Sequence, residues 1–221
     1  MRAFRLITVA WLAGTAGCFP VITHGARVEK GASIGLAATT TGGDTHTEGD
    51  EGGIYLRTGP VGAYAGYGWE PTSSNNPGFY LGVAVPVLFP ATQVDAYLQA
   101  PPAWTGALQA GIGGTVNYES GHAYAILGRQ DAGGTGWSAH AGYGVRGASS
   151  SFLGRSPALF GGGAAHFAFR RHGRLQLYMQ GAWGRDPESC FSDPPGAATR
   201  RCTPGRSSRA LTAGAALGWH K

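Results

Sequence analysis

The feature that most constrains this fold is a strict alternation of apolar and polar residues. In residues 136–146, GWSAHAGYGVR, the odd positions carry Trp, Ala, Ala, Tyr and Val, while the even positions from 138 carry Ser, His, Gly, Gly and Arg. Successive side chains of a β-strand point to opposite faces, so this stretch predicts a strand with one apolar and one polar face. The alternation alone leaves open which face points inward.

Long segments of this kind recur along the chain, and none shows a sustained helical period, so we expect an all-β protein. Most are longer than the roughly 5–6 residues of an average strand and are closer to the roughly 9–11 residues of a membrane-barrel strand. Within 54–69 the apolar phase changes near Gly59 and Pro60, which indicates a β-bulge. The ten predicted strands are 27–40, 54–69, 79–88, 93–100, 105–119, 121–129, 136–146, 158–170, 174–185 and 209–219.

Composition narrows the class of protein further. Only 13% of the residues are charged, against about 25% in an ordinary soluble domain. The net charge of +5 is spread along the chain, whereas a nucleic-acid footprint needs a basic patch, so we expect no nucleic-acid partner.

The amino-terminal stretch MRAFRLITVAWLAGTAGC has Arg2 and Arg5, a short apolar run and then small residues. This order is typical of a secretory signal peptide. The segment Thr15-Ala16-Gly17-Cys18 resembles the lipobox of bacterial lipoproteins, with Thr15 where that family usually has Leu. The resemblance implies lipidation of Cys18, and cleavage near Ala16 without lipidation is the alternative. We expect a signal peptide over 1–17, a lipid-anchored linker over 18–26 and a barrel over 27–221.

Two further cysteines, Cys190 and Cys202, flank a loop containing two Pro and a Gly. An exported chain meets an oxidising environment, so we predict a disulfide between them. A metal pair is the alternative, but no His or third Cys lies at ligand spacing. We expect no metal site and no cofactor.

The connections and the tryptophans suggest an orientation. If Cys18 is anchored on the periplasmic leaflet, the first strand runs outward, and the three longest connections, 41–53, 147–157 and 186–208, fall outside. Aromatic side chains with a polar edge prefer membrane interfaces. We expect five interface tryptophans: Trp69, Trp104, Trp137 and Trp219 at the periplasmic end and Trp183 near the outer end.

Over residues 18–221 the chain resembles small bacterial outer-membrane β-barrels of the OmpA and OmpX type, by pattern and without a sharp motif. The resemblance implies a transmembrane antiparallel up-and-down β-barrel of ten strands, with eight as the alternative. It also implies outer-membrane lipid as a partner, and it transfers no active-site residues. A soluble lipocalin-like binding barrel with an apolar interior remains a competing reading.

In the membrane reading the polar faces line the lumen, meaning the interior of the barrel. The predicted lumen residues are Gln99, Gln109, His140, Arg146, His166, Arg170, Gln176, Tyr178 and Gln180. Inward glycines such as Gly113 and Gly142 are expected to leave room for long Arg and Gln side chains. A barrel near eight strands is filled by its own side chains, so we expect a largely plugged lumen and a structural or surface-interaction role, with a surface or periplasmic protein as a possible partner. A narrow pore or carrier for a small solute is the alternative.

Catalytic and metal readings are weaker. Ser138 and His140 share a face, with Glu119 as a possible third group, but the sequence does not establish a nucleophile–base–acid geometry. The acidic segment 42–53 lacks a calcium-loop signature and reads as a solvated loop. We therefore expect no catalytic residues and no enzyme activity.

Overall fold

The computed structural model describes residues 22–47, 53–58, 62–86, 92–117, 120–146, 156–169, 172–186, 189–192, 200–203 and 206–221. Besides a one-turn helix α1 (Pro102–Thr105), the regular elements there are strands. No helix in these ranges has the length and apolar character needed to cross a bilayer. The strands are β1 (Gly31–Thr47), β2 (Gly53–Thr58), β3 (Gly62–Trp69), β4 (Gly78–Pro86), β5 (Gln93–Gln99), β6 (Gln109–Val116), β7 (Ser120–Gln130), β8 (Gly136–Arg146), β9 (Ser156–Phe169), β10 (Gly173–Asp186), β11 (Ser189–Ser192), β12 (Arg200–Thr203) and β13 (Arg206–His220).

The main sheet closes on itself. Each strand pairs antiparallel with its neighbour in sequence from β3 to β10, β13 pairs with β10, and β1 pairs with both β13 and β3. Strands β2 and β3 both lie against β1 and form one wall strand, so the wall has ten. The predicted ten-strand antiparallel up-and-down barrel is therefore confirmed, and the eight-strand alternative is excluded.

The predicted phase change in the second wall strand is also confirmed by the strand register. Thr40 of β1 lies opposite Thr58, whereas Ala37 lies opposite Gly62. The register of the second wall strand on β1 therefore shifts by one residue between these two pairs, which is the offset that a β-bulge produces.

The barrel has two rims. We call the end where β1 begins and β13 ends the terminal rim, and the opposite end the loop rim. The prediction that 41–53 is a long loop is wrong in part: β1 continues to Thr47 and β2 begins at Gly53, and Asp44 and Ile54 are paired in this ribbon. β-Branched and aromatic residues carry the ladder beyond the point where the sequence suggested a loop. At the terminal rim the connection 100–108 is as long as 147–155, so the predicted asymmetry of the loops depends mainly on 187–205.

The surface of the barrel is apolar and its interior is polar. Large exposed hydrophobic side chains project from every wall strand in the described part of the chain, although β7 contributes Leu127 alone. They include Ile34, Leu36, Leu81, Val83, Leu98, Ile112, Leu177, Met179, Leu211 and Leu217. The buried polar side chains include His122, Ser138, His140, His166, Gln176 and Gln180. A soluble lipocalin-like barrel has the opposite distribution, so that reading is wrong.

The apolar exterior forms a band of defined height. On β13 the outward side chains run from Trp219 through Leu217 to Leu211 and then become polar at Arg209. On β10 the change falls between Trp183 and Arg185. The eight residue steps from Leu211 to Trp219, at about 3.4 Å each and tilted by about 40°, give a height of roughly 21 Å, close to the roughly 25 Å expected of a lipid-facing band.

The amino-terminal segment lies inside the barrel. Residues 22–28, which we call the plug, precede β1 and are largely buried: Ala26 is 0% exposed and Val28 is 2% exposed. The sequence predicted a linker to residue 26 and a strand from 27 with Val28 facing outward. Instead β1 begins at Gly31, and Val28 packs among inward side chains that include Tyr80 and Tyr97.

Candidate functional site in the plugged barrel interior

Side chains of the wall hold the backbone of the plug at four points on three sides of the barrel. Gln176 Nε2 donates to the carbonyl of Ile22 at 2.8 Å, and the Tyr97 hydroxyl donates to the carbonyl of Ala26 at 2.8 Å. The amide of Val28 donates to Gln99 Oε1 at 2.7 Å, and the amide of Arg27 donates to Gln130 Oε1 at 3.0 Å. Polar backbone groups that leave water need such partners, so the wall is built to accept this segment.

The centre of the site is a cluster of His24, Asp95 and Tyr124. The Tyr124 hydroxyl donates to Asp95 Oδ1 at 2.6 Å, and His24 Nε2 lies 2.9 Å from the same hydroxyl. His24 Nε2 also lies 3.3 Å from Asp95 Oδ2, an oxygen that has no hydrogen bond of good geometry. Asp95 is 4% exposed and is the one buried carboxylate among the residues described.

Aromatic rings surround the imidazole of His24. Its ring centroid is 4.7 Å from that of Tyr80, 4.6 Å from that of Tyr97 and 6.1 Å from that of Tyr124. This ring packing holds the plug through the His24 side chain, in addition to the hydrogen bonds to its backbone. The sequence placed Asp95 toward the outer mouth and did not place His24 in the barrel at all.

The predicted lumen residues that the structure describes are placed as follows. Gln99 and Gln176 are buried and bind the plug, His140 Nε2 lies 2.9 Å from Gln180 Oε1, and Tyr178 is buried with no hydrogen-bond partner for its hydroxyl. Gln109 is half-buried and exchanges hydrogen bonds with the backbone of Gln130. Arg170 and the side chain of Arg146 lie outside the described part of the chain.

A second polar pair joins β8 to β9. Ser138 Oγ lies 2.8 Å from His166 Nε2, and both residues are buried. The sequence paired Ser138 with His140, but His140 reaches Gln180 instead. Within the part of the chain that the structure describes, no carboxylate orients His166, so there the pair lacks the third member of a catalytic triad.

A cavity of about 90 Å³ opens beside the plug toward the terminal rim, and its lining includes His24, Tyr64, His166 and Gln176. At its mouth Arg174 Nη2 lies 2.9 Å from Glu29 Oε2. In the described ranges no three His, Cys, Asp or Glu side chains converge as a metal site would require. A second cavity, of about 360 Å³, lies at the terminal rim between Arg27 of the plug, Glu70 and Gln109. The interior therefore offers hydrogen-bonding groups and one buried acidic group, and its larger open volume lies at this rim.

The other predicted site residues lie on or beyond the barrel wall. Trp69, Trp104, Trp137 and Trp219 are exposed at the terminal rim, and Trp183 is exposed toward the loop rim. Cys190 lies directly opposite Cys202 in the β11–β12 hairpin, and the positions of their side chains are outside what the structure describes. Cys18 precedes the first described residue.

No family model matches this chain, and no curated protein is significantly similar to it. Among solved structures, Ail, the attachment invasion locus protein of Yersinia pestis, is 12% identical with a TM-score of 0.26, covering 86% of this chain and 99% of that one. The outer membrane protease OmpT from Escherichia coli is 9% identical with a TM-score of 0.26, covering 86% and 96%. The P. putida toluene transporter TodX is 8% identical with a TM-score of 0.21, covering 90% and 93%.

Likenesses at these scores bear on neither the activity nor the partners of this chain. The fold is established by the chain itself, through a closed ten-strand sheet, an apolar exterior and a polar interior. Only a closed barrel leaves no unpaired sheet edge in lipid. The molecule accordingly has the architecture of a small outer-membrane β-barrel.

Proposed function

We propose that this protein is an outer-membrane barrel with a structural or surface-interaction role, closed by its own amino-terminal segment. The observation that carries the proposal is the plug. A barrel devoted to free passage of solutes has no use for a buried segment held at four backbone positions across the lumen.

The remaining inward side chains support a closed interior. His140 pairs with Gln180, and Thr115 Oγ1 lies 3.2 Å from His122 Nδ1. The ring of Phe160 lies between these pairs, 5.7 Å from His122 and 6.2 Å from His140. Polar groups that satisfy one another in this way hold their positions and do not bind passing solutes strongly.

Planar-bilayer recording on the refolded full chain tests the closed state. We expect no discrete openings from the wild-type protein, with heat-modifiable gel mobility confirming that the sample is folded. Regular openings of the wild-type protein would favour the narrow pore instead.

We further propose the bacterial outer membrane as the location, with the terminal rim periplasmic and the loop rim outside. The tall β1–β2 ribbon and the connection 187–205 at the loop rim support this orientation. Surface labelling of a single introduced cysteine at Ser207, in a chain whose own cysteines are replaced, should succeed on intact cells; labelling only after lysis would reverse the orientation.

Lipidation of Cys18 stays a proposal, and the plug now limits its geometry. Four residue steps separate Cys18 from Ile22, a reach of at most about 14 Å. Ile22 is bonded to Gln176, three residues along β10 from Gly173 at the terminal rim, or roughly 10 Å. A lipid on Cys18 therefore requires the chain to turn directly back to this rim. Labelled palmitate should enter the wild type and be absent from C18S; equal labelling would exclude Cys18.

A further inference from the structure

The plug supplies the only group of the described lumen that faces Asp95 and can carry a positive charge within hydrogen-bonding distance. His24 and Asp95 have side chains that are 7% and 6% exposed, with Nε2 and Oδ2 at 3.3 Å. Burying a lone carboxylate is costly. The wall therefore gains a charge partner only while the plug is in place.

One imidazole ring joins the plug to both wall residues. The Tyr124 hydroxyl donates to Asp95 Oδ1, and His24 Nε2 lies 2.9 Å from that hydroxyl and 3.3 Å from Asp95 Oδ2. His24 Nδ1 lies 2.7 Å from the carbonyl oxygen of Gly25, which can only accept, so the ring is also fixed from its other side.

We propose that His24 is the latch that keeps the plug in the lumen, through its contacts with Asp95 and Tyr124, and that the plug is released when these contacts are lost. This inference rests on the proposed function, because it assumes that the plug closes the barrel at rest. Without His24, Asp95 is a buried carboxylate that has lost its partner, and such a group favours an arrangement in which water reaches it.

The decisive variant is H24E, which sets a second carboxylate against Asp95. Like charges at this separation should raise the fraction of molecules with a released plug by at least about tenfold. The matched control is A132E, which adds the same charge at an exposed residue of the connection between β7 and β8, outside the plug; its plug should stay in place.

Hydrogen exchange of the peptide 22–28 in the refolded full-length protein, followed by mass spectrometry, measures this release. We expect slow exchange in the wild type and in A132E, and fast exchange in H24E. In the double variant H24E/D95N the repulsion is gone, so slow exchange should return. If H24E does not refold, H24A carries the same test.

The outcomes separate the two proposals. A wild type that conducts in planar bilayers while its plug is protected overturns the closed-barrel function itself. An H24E plug that stays protected overturns the latch and leaves the closed barrel standing. An H24E plug that exchanges fast and stays fast in H24E/D95N overturns the pairing of His24 with Asp95.

Discussion

At the scale of single residues, the inward glycines make room for aromatic rings. A Cβ on Gly113 would lie 2.8 Å from Tyr124 Cε2, and one on Gly66 would lie 2.7 Å from Tyr80 Cε2. The expectation that these glycines accommodate long Arg and Gln side chains is therefore corrected: Tyr and Phe rings pack against glycines of the neighbouring strand. A glycine in a wall strand lets an aromatic ring of the next strand lie against its backbone, and the same ring then fills the lumen.

This packing predicts the effect of G113A. The added methyl group should push Tyr124 from its place on Asp95 and lower the free energy of unfolding by about 1–3 kcal/mol. Urea unfolding of the refolded barrel, followed by tryptophan fluorescence, measures the change. The control is G121A on the outward face, where nothing lies within 4 Å of the new Cβ; equal losses in the two variants would refute the ring-packing explanation.

At the scale of elements, each wall strand turns one face to lipid and one to the lumen. L177R tests the lipid face, because Leu177 is exposed in the middle of the apolar band on β10. Arginine there should cost roughly 2–4 kcal/mol of unfolding free energy in lipid vesicles, whereas S207R, beyond the band on β13, should cost about 0–1 kcal/mol. Comparable values for both positions would mean that Leu177 does not face hydrocarbon.

The β11–β12 hairpin carries its own prediction. Because Cys190 and Cys202 are directly opposed in register, we expect them to form a disulfide in the exported protein. Intact-mass analysis after treatment with a thiol-alkylating reagent should find two fewer alkylated cysteines before reduction of the protein than after it. Two free thiols in protein isolated under oxidising conditions would remove the prediction.

Strand positions follow from the sequence because alternation records which face of each strand meets which environment. For this reason the lipid-facing residues of 136–146 and 209–219 can be predicted from the sequence. The segment 22–28 escaped because a plug has no partner strand, and its even-numbered Ile22, His24, Ala26 and Val28 look like the start of a lipid face. The contact between Ser138 and His166 depends on the register between β8 and β9. That register cannot be predicted from the residue pattern of either strand alone.

At the scale of the whole molecule, the plug and the closed sheet depend on each other. The plug binds wall strands that lie far apart in sequence, from Tyr97 on β5 to Gln176 on β10. It therefore connects wall strands that are not paired with each other in the sheet. Loss of a contact between the plug and the wall should therefore lower the stability of the barrel. Q176A removes the amide that binds the carbonyl of Ile22, and we expect its unfolding midpoint in urea to fall below that of the wild type.

The seam between β1 and β13 has a consequence for how the chain folds. It joins Ser33 to His220, two positions near opposite ends of the sequence. Contacts of such high sequence separation form slowly, because the entropy of closing the loop must be met first. The circle therefore closes only when β13 meets β1. The plug precedes every wall strand in the sequence, yet it obtains its complete set of wall partners only in this late step.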